Sequence, residues 1–107
     1  MAYYHRARVA ITGLGVVAPN GTSVETFWST MLAGQSGIAP ITLFDASKHP
    51  CQIAGEVKSF DLSAYIDSSQ LKIKRLSRQT QLALAASIMA LRDAGIDPVK
   101  LAPDDPL

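Results

Sequence analysis

Apolar and polar positions alternate in distinct rhythms along this chain, and each rhythm predicts an element. From Val9 to Val17 both parities are apolar, and Val9, Ile11 and Thr12 are β-branched. Such a run suits an extended backbone hidden on both faces, a central strand of a layered α/β sheet. Gly13 and Gly15 permit a bend or a close approach there, and Pro19-Asn20-Gly21 ends the run with turn chemistry. Next, Val24, Phe27, Trp28, Met31 and Leu32 recur at helical spacing, with Gly34 at the natural stop. Thr22-Ser23-Val24-Glu25 has capping-box spacing, so Thr22 is expected to cap and Glu25 to reach back.

Gln35 to Pro50 reads as an ordered loop pinned by Ile38, Ile41, Leu43 and Phe44. Gln52 to Val57 alternates Ile53, Gly55 and Val57 with Gln52, Ala54 and Glu56, which predicts a strand near a sheet edge with one wet face. Ser59 to Ser69 is short and polar, anchored by Phe60, Leu62, Tyr65 and Ile66, with room for one helical turn. The strongest helix runs from Leu71 or Leu76 to Ala94, and its middle, Leu82 to Leu91, is apolar nearly all round. A helix of that kind belongs inside a larger body, packed closely through its alanines. Gly95, Ile96 and Pro98 give a Schellman-type stop, and Pro103 to Leu107 reads as loop.

Length changes this picture. The first strand and the second helix both ask for burial on all sides, and 107 residues supply too little sheet and helix to cover them. Either the chain oligomerises through those surfaces or it is the front end of a larger domain. A 48% hydrophobic and 18% charged composition is that of a globular chain. A net charge of +1 gives no general pull toward nucleic acid or anionic lipid. The one cysteine, Cys51, cannot form an internal disulfide, which fits a reducing compartment. No apolar run reaches membrane-spanning length. His5, Arg6 and Arg8 before Val9 to Ala18 imitate a short signal peptide, but the glycines and β-branched residues suit its helical core poorly. Asn20-Gly21-Thr22 is a glycosylation acceptor that only a secreted protein uses. The expected compartment is the cytoplasm.

Three groups of residues carry candidate chemistry. Gly13-Leu14-Gly15-Val16-Val17-Ala18 fits a dinucleotide-binding pattern after a strand, but Pro19-Asn20-Gly21 breaks the chain where the phosphate-holding helix must start. The acidic residue that pattern needs about twenty positions on is also missing. Cys51 has His49 two residues away, yet nothing supplies an oxyanion hole or an orienting third group, so a small half-buried thiol is the expectation. His49, Cys51 and the distant His5 are a thin set for a metal. Lys72, Lys74, Arg75 and Arg78 cluster with no acid between Asp67 and Asp93. On a helix, Arg75 and Arg78 share a face, as do Lys74 and Arg78. Chemistry alone leaves two readings, a solvated helix entrance and a docking patch for an acidic partner. Nucleic acid fits less well, since only Tyr65 is near for stacking.

Taken together, several of these stretches resemble the β-ketoacyl-acyl carrier protein synthases. The resemblance lies in Arg8 to Gly21, in Phe27-Trp28 with Leu32-Ala33-Gly34-Gln35-Ser36-Gly37-Ile38, and in Phe44-Asp45. It continues through Ile53-Ala54-Gly55-Glu56-Val57, Phe60-Asp61, Gln81 to Ala86 and Ala90-Leu91-Arg92-Asp93-Ala94-Gly95. It implies a thiolase-like fold of five alternating layers, αβαβα, with residues 1–107 as the first, incomplete part of the N-terminal domain. It further implies decarboxylative Claisen condensation of acyl thioesters with malonyl carrier protein, in fatty acid or polyketide assembly. The cysteine and two histidines of that reaction lie in family segments beyond the point matching Leu107, and Cys51 does not match the nucleophile. No catalytic, cofactor or metal residue is therefore assigned, and the chain alone is expected to be inactive. In related synthases basic residues at the entrance to the long helix meet the acidic acyl carrier protein; Lys74 and Arg75 match them, and Arg78 is a further candidate. A homodimer, or a heterodimer with a paralogous subunit, is implied for the full-length protein. Ser77 stands where many members have Asp, which leaves room for a non-catalytic chain-length-factor-type subunit. A small self-contained binding module for an acidic partner is the rival of another class.

Overall fold

Serine starts both helices. The computed structural model describes residues 7–67 and 72–98, with α1 at Val24–Leu32 and α2 at Arg78–Asp93. The Thr26 amide donates to Ser23 Oγ and the Thr80 amide to Ser77 Oγ, each at 3.2 Å, and each serine hydroxyl also pairs with its threonine's hydroxyl. The expected cap on Thr22 is thus corrected to Ser23. Ser-x-x-Thr offers two hydroxyls to the exposed amides of the first turn, and Ser23 takes the extended backbone that a cap requires (φ −145°, ψ 160°).

The two stops are also alike. After α1 the Gln35 amide donates to the Thr30 carbonyl (2.9 Å) and the Gly34 amide to Met31 (3.0 Å). After α2 the Ile96 amide donates to Leu91 (2.8 Å) and the Gly95 amide to Arg92 (3.0 Å). Both are Schellman motifs, and Gly34 and Gly95 take the left-handed φ they need, +66° and +78°. The Gly95-Ile96 stop reads as the sequence predicts. The long helix, however, begins at Arg78 and not at Leu71 or Leu76, and Ser68 to Leu71 lie outside the described residues.

The leading segment lies along α2 backbone to backbone. A Cβ on Gly13 would sit 2.6 Å from the Ala94 nitrogen, and one on Gly15 would overlap the Ala86 carbonyl and sit 2.7 Å from the Ala90 nitrogen. Two residues of extended chain advance about 6.6 Å and four residues of helix about 6 Å, so the segment runs extended and antiparallel to α2. Asp93 secures it, its Oδ2 accepting the Leu14 amide at 2.8 Å. Among the described residues it pairs with no strand, and Val9 and Ile11 are 91% and 84% exposed. The expected buried central strand is corrected to this extent. A strand needs neighbours on both edges and cover on both faces, and here only α2 supplies any. At its end the Ala18 and Gly21 backbones bond reciprocally across Pro19-Asn20 (2.9 and 3.1 Å), the turn that the sequence predicts.

The stretch between the helices folds into a small hairpin. β1 (Ile38–Pro40), inside the expected loop, pairs antiparallel with β2 (Ile53–Gly55), Ala39 opposite Ala54. The wet face is not the polar one. Ile53 and Gly55 are exposed, Ala54 is half-buried, and Glu56 is 9% exposed. The Glu56 carboxylate accepts from the Thr42 amide, the Thr42 hydroxyl and the Leu43 amide (2.8–3.1 Å), pinning the chain that leaves β1. Those bonds, Leu43's first, hold the Glu56 carboxyl below the ordinary glutamate value. Further on, Asp61 caps a 3₁₀ turn at Leu62–Ala64, the single turn predicted after Ser59.

Burial is sparse. The buried apolar residues among those described are Ala46, Val57, Leu62, Ala85 and Ile88, and α1 has none. Of the expected apolar stripe, Trp28, Met31 and Leu32 are exposed and Val24 and Phe27 half-buried, and α2 buries only Ala85 and Ile88. The Cα radius of gyration is 18.3 Å, where a compact domain of this length has about 13 Å.

Candidate functional site

The basic cluster sits on a short turn of its own. A 3₁₀ turn at Ile73–Arg75 carries Lys74 and Arg75, closed by the Arg75 amide to Lys72 (2.8 Å) and the Leu76 amide to Ile73 (3.0 Å). Leu76 (ψ 138°) and Ser77 (ψ 156°) then run extended before α2 begins. A serine cap must be extended, so the helix cannot be prolonged upstream through Ser77. Lys74 and Arg75 therefore share no helical face with Arg78, which corrects the helical spacing read from the sequence. Serine and aspartate are both strong caps. Lys72, Lys74 and Arg75 are exposed.

Two side chains at the start of α2 fasten this region. Arg78 Nη2 donates to the Val57 carbonyl (2.6 Å), and its guanidinium carbon lies 5.4 Å from the centre of the Phe60 ring. Phe60 in turn stacks on Tyr65, with 5.9 Å between ring centres. Gln81 Nε2 donates to the Leu76 carbonyl (3.0 Å) and reaches the Ile73 carbonyl at 3.5 Å. The basic turn is thus tied to α2 by Gln81, and α2 to the end of the hairpin by Arg78. Arg92, at the far end of the helix, donates to the Tyr65 carbonyl (2.8 Å). Sequence reasoning missed Gln81 and Glu56, because an isolated amide or acid in an apolar pattern gives no sign of which carbonyl or amide it will meet.

The other candidates are not brought together. The space beside Gly13 and Gly15 is filled by Ala86, Ala90 and Ala94, which explains those glycines without a phosphate. Cys51 is exposed, not half-buried, its Sγ 3.5 Å from the Ile53 carbonyl. The His49 ring packs edge-on against Phe44 at 5.7 Å. His5 lies outside the described residues, among which no three His, Cys, Asp or Glu side chains converge as metal ligands. No helix among the described residues is long and apolar enough to cross a membrane.

The chain belongs to the β-ketoacyl synthase N-terminal domain family, whose profile matches residues 6–105. It is similar to the tetracenomycin polyketide synthase ketoacyl synthase beta subunit of Streptomyces glaucescens, 47% identical over 94 residues, covering 88% of this chain and 22% of that one. It is 40% identical over 94 residues to 3-oxoacyl-[acyl-carrier-protein] synthase 2 of Synechocystis, with the same coverage. Among solved structures, the ishigamide ketosynthase/chain length factor superposes with a TM-score of 0.74 at 36% identity, covering 86% of this chain and 22% of that one. The chain therefore carries part of a thiolase-like fold and spans about a fifth of the length of these relatives.

Proposed function

We propose that this chain is the opening part of a β-ketoacyl-acyl carrier protein synthase of fatty acid or polyketide assembly. Its reaction is decarboxylative Claisen condensation of an acyl thioester with malonyl carrier protein. The observation that carries this reading is the match of residues 6–105 to the family, together with 40% identity to a 3-oxoacyl-[acyl-carrier-protein] synthase. In the five-layered αβαβα arrangement of that family, residues 9–17, α1 and α2 are the first strand, first helix and central helix of the N-terminal half. The catalytic cysteine and histidines belong to later segments, so residues 1–107 contribute frame and docking surface and are inactive alone. The protein works in the cytoplasm, paired with itself or with a paralogous subunit.

Lys74 and Arg75 form the docking site for the acidic acyl carrier protein. Their exposure on a fastened turn supports this role. Arg78, bound to Val57 and Phe60, contributes mainly by holding the region in place. In the full-length enzyme, Lys74→Ala with Arg75→Ala raises KM for the carrier protein about 3–10-fold at low salt, and the difference shrinks as salt rises. An unchanged KM refutes docking at this turn.

A second reading is favoured by the similarity to a ketoacyl synthase beta subunit and to the ketosynthase/chain length factor structure. In it, the full-length protein is a non-catalytic partner of a true synthase. Condensation by the purified full-length protein alone, given acyl and malonyl carrier protein, establishes the synthase. Condensation that appears only when a paralogous subunit is added, and that survives replacement of whatever residue this protein has at the nucleophile position, establishes the partner.

A further inference from the structure

We infer that Gln81 is a positioning residue for carrier-protein docking: its side-chain amide holds the Ile73–Arg75 turn in the shape that presents Lys74 and Arg75. The inference rests on the docking role proposed above for those two residues. The turn has few bonds of its own, since a single 3₁₀ turn closes only the Lys72 and Ile73 carbonyls. Lys72, at its start, makes no side-chain cap. Between the turn and α2 the chain is extended, so no helical hydrogen bond links the two. Gln81 spans this gap. From the first turn of α2 its half-buried side chain donates to the Leu76 carbonyl at 3.0 Å and reaches the Ile73 carbonyl at 3.5 Å. Those two carbonyls flank Lys74 and Arg75 in the chain. Without the amide, the two cations stay on the surface but sample many orientations, and docking must order them anew.

The test uses the full-length protein and an acidic acyl carrier protein. Gln81→Met keeps length and packing while removing the donor. It is expected to weaken carrier binding about 3–10-fold, the range for losing one ordinary hydrogen bond. Because both cations remain, the slope of log Kd against log salt is expected to stay that of the parent. Lys74→Ala with Arg75→Ala should lower that slope. Amide exchange at Arg75 and Leu76 should quicken in Gln81→Met while exchange at Ile88 and Met89 is unchanged, which a general loosening of α2 would not produce. Gln81→Leu, which also removes the donor and adds no charge, provides the same readings if the methionine variant fails to fold. Unchanged affinity, or unchanged exchange at Arg75 and Leu76, overturns the role given to Gln81 while docking at Lys74 and Arg75 stands. If the double alanine variant binds as the parent does, the docking reading falls and this inference falls with it.

Discussion

The two helices are built from the same local parts and end in different states. Each starts on Ser-x-x-Thr and each stops in a Schellman motif with a left-handed glycine. Yet α2 buries Ala85 and Ile88, and α1 buries nothing, leaving Trp28 59% exposed. Caps are satisfied within a few residues of sequence, whereas burial depends on what the rest of the fold brings. Among the described residues α2 receives cover from the leading segment and from the Leu62–Ala64 turn, whereas α1 meets the Asn20-Gly21 turn and has Val24 and Phe27 only half-buried.

The difference can be broken most forcefully at packing. Ile88→Ala, in the full-length protein, should cost about 2–5 kcal/mol in a urea melt. On the burial seen in residues 1–107 alone, Met31→Ala should cost about 0.5 kcal/mol or less. If later segments cover α1, as the proposed fold requires, the Met31→Ala cost rises toward that of Ile88→Ala. A Met31→Ala cost that stays at about 0.5 kcal/mol or less in the full-length protein would mean that α1 stays a surface helix. Next comes the glycine seam. Gly15→Ala forces its Cβ into the Ala86 carbonyl and should destabilise by about 1–3 kcal/mol. Gly34→Ala, with open space around it, meets only its backbone conformation and should cost about 1 kcal/mol.

Caps should then make the helices look alike again. Ser23→Ala and Ser77→Ala are each expected to cost about 1 kcal/mol, and Ser77→Asp to be nearly neutral. A much larger loss at Ser77 alone would show that its extended backbone also sets the basic turn. The smallest signal is local and lies at Glu56. Its carboxyl is held below the ordinary glutamate value by the Thr42 and Leu43 donors. A depressed folded-state value means that the carboxylate's contribution is fully present above the unfolded value and is lost as pH falls through the folded one. The Thr42 and Leu43 amide resonances should therefore titrate with a midpoint below that of an ordinary glutamate. Glu56→Gln should abolish that titration, and a midpoint at or above the ordinary value refutes the account.

Much of this was legible in sequence because it is local. The stripe from Val24 to Leu32, the Pro19-Asn20-Gly21 turn and the Gly95 stop follow from spacing and backbone chemistry within one window. Three things were not legible, each decided by a distant contact. β1 is three residues long and carries no alternation worth reading; its existence depends on Ile53–Gly55 across the hairpin. Glu56 reads as the wet side of a strand and is instead turned onto the Thr42-Leu43 backbone. The serine at 77 reads as a departure from the resemblance, and only the cap geometry shows that it starts α2. For the candidate site, the sequence supplied Lys74 and Arg75, but a helical face was assumed where the chain makes a separate turn. The fasteners Arg78 and Gln81 reveal their partners only in three dimensions.

The seam between Gly13-Gly15 and Ala86-Ala90-Ala94 also bears on the entropy of assembly. Neither glycine nor alanine has a side-chain rotamer to freeze, so this contact forms without the ordering cost of up to about 2 kcal/mol that a long side chain carries. The cost falls instead on the two glycine backbones, which lose more freedom than any other residue on becoming extended. A strand laid on a helix in this way is either fully seated or not seated at all. No rotamer can adjust to fill a gap, so small shifts of α2 are passed directly to the backbone of residues 13–15.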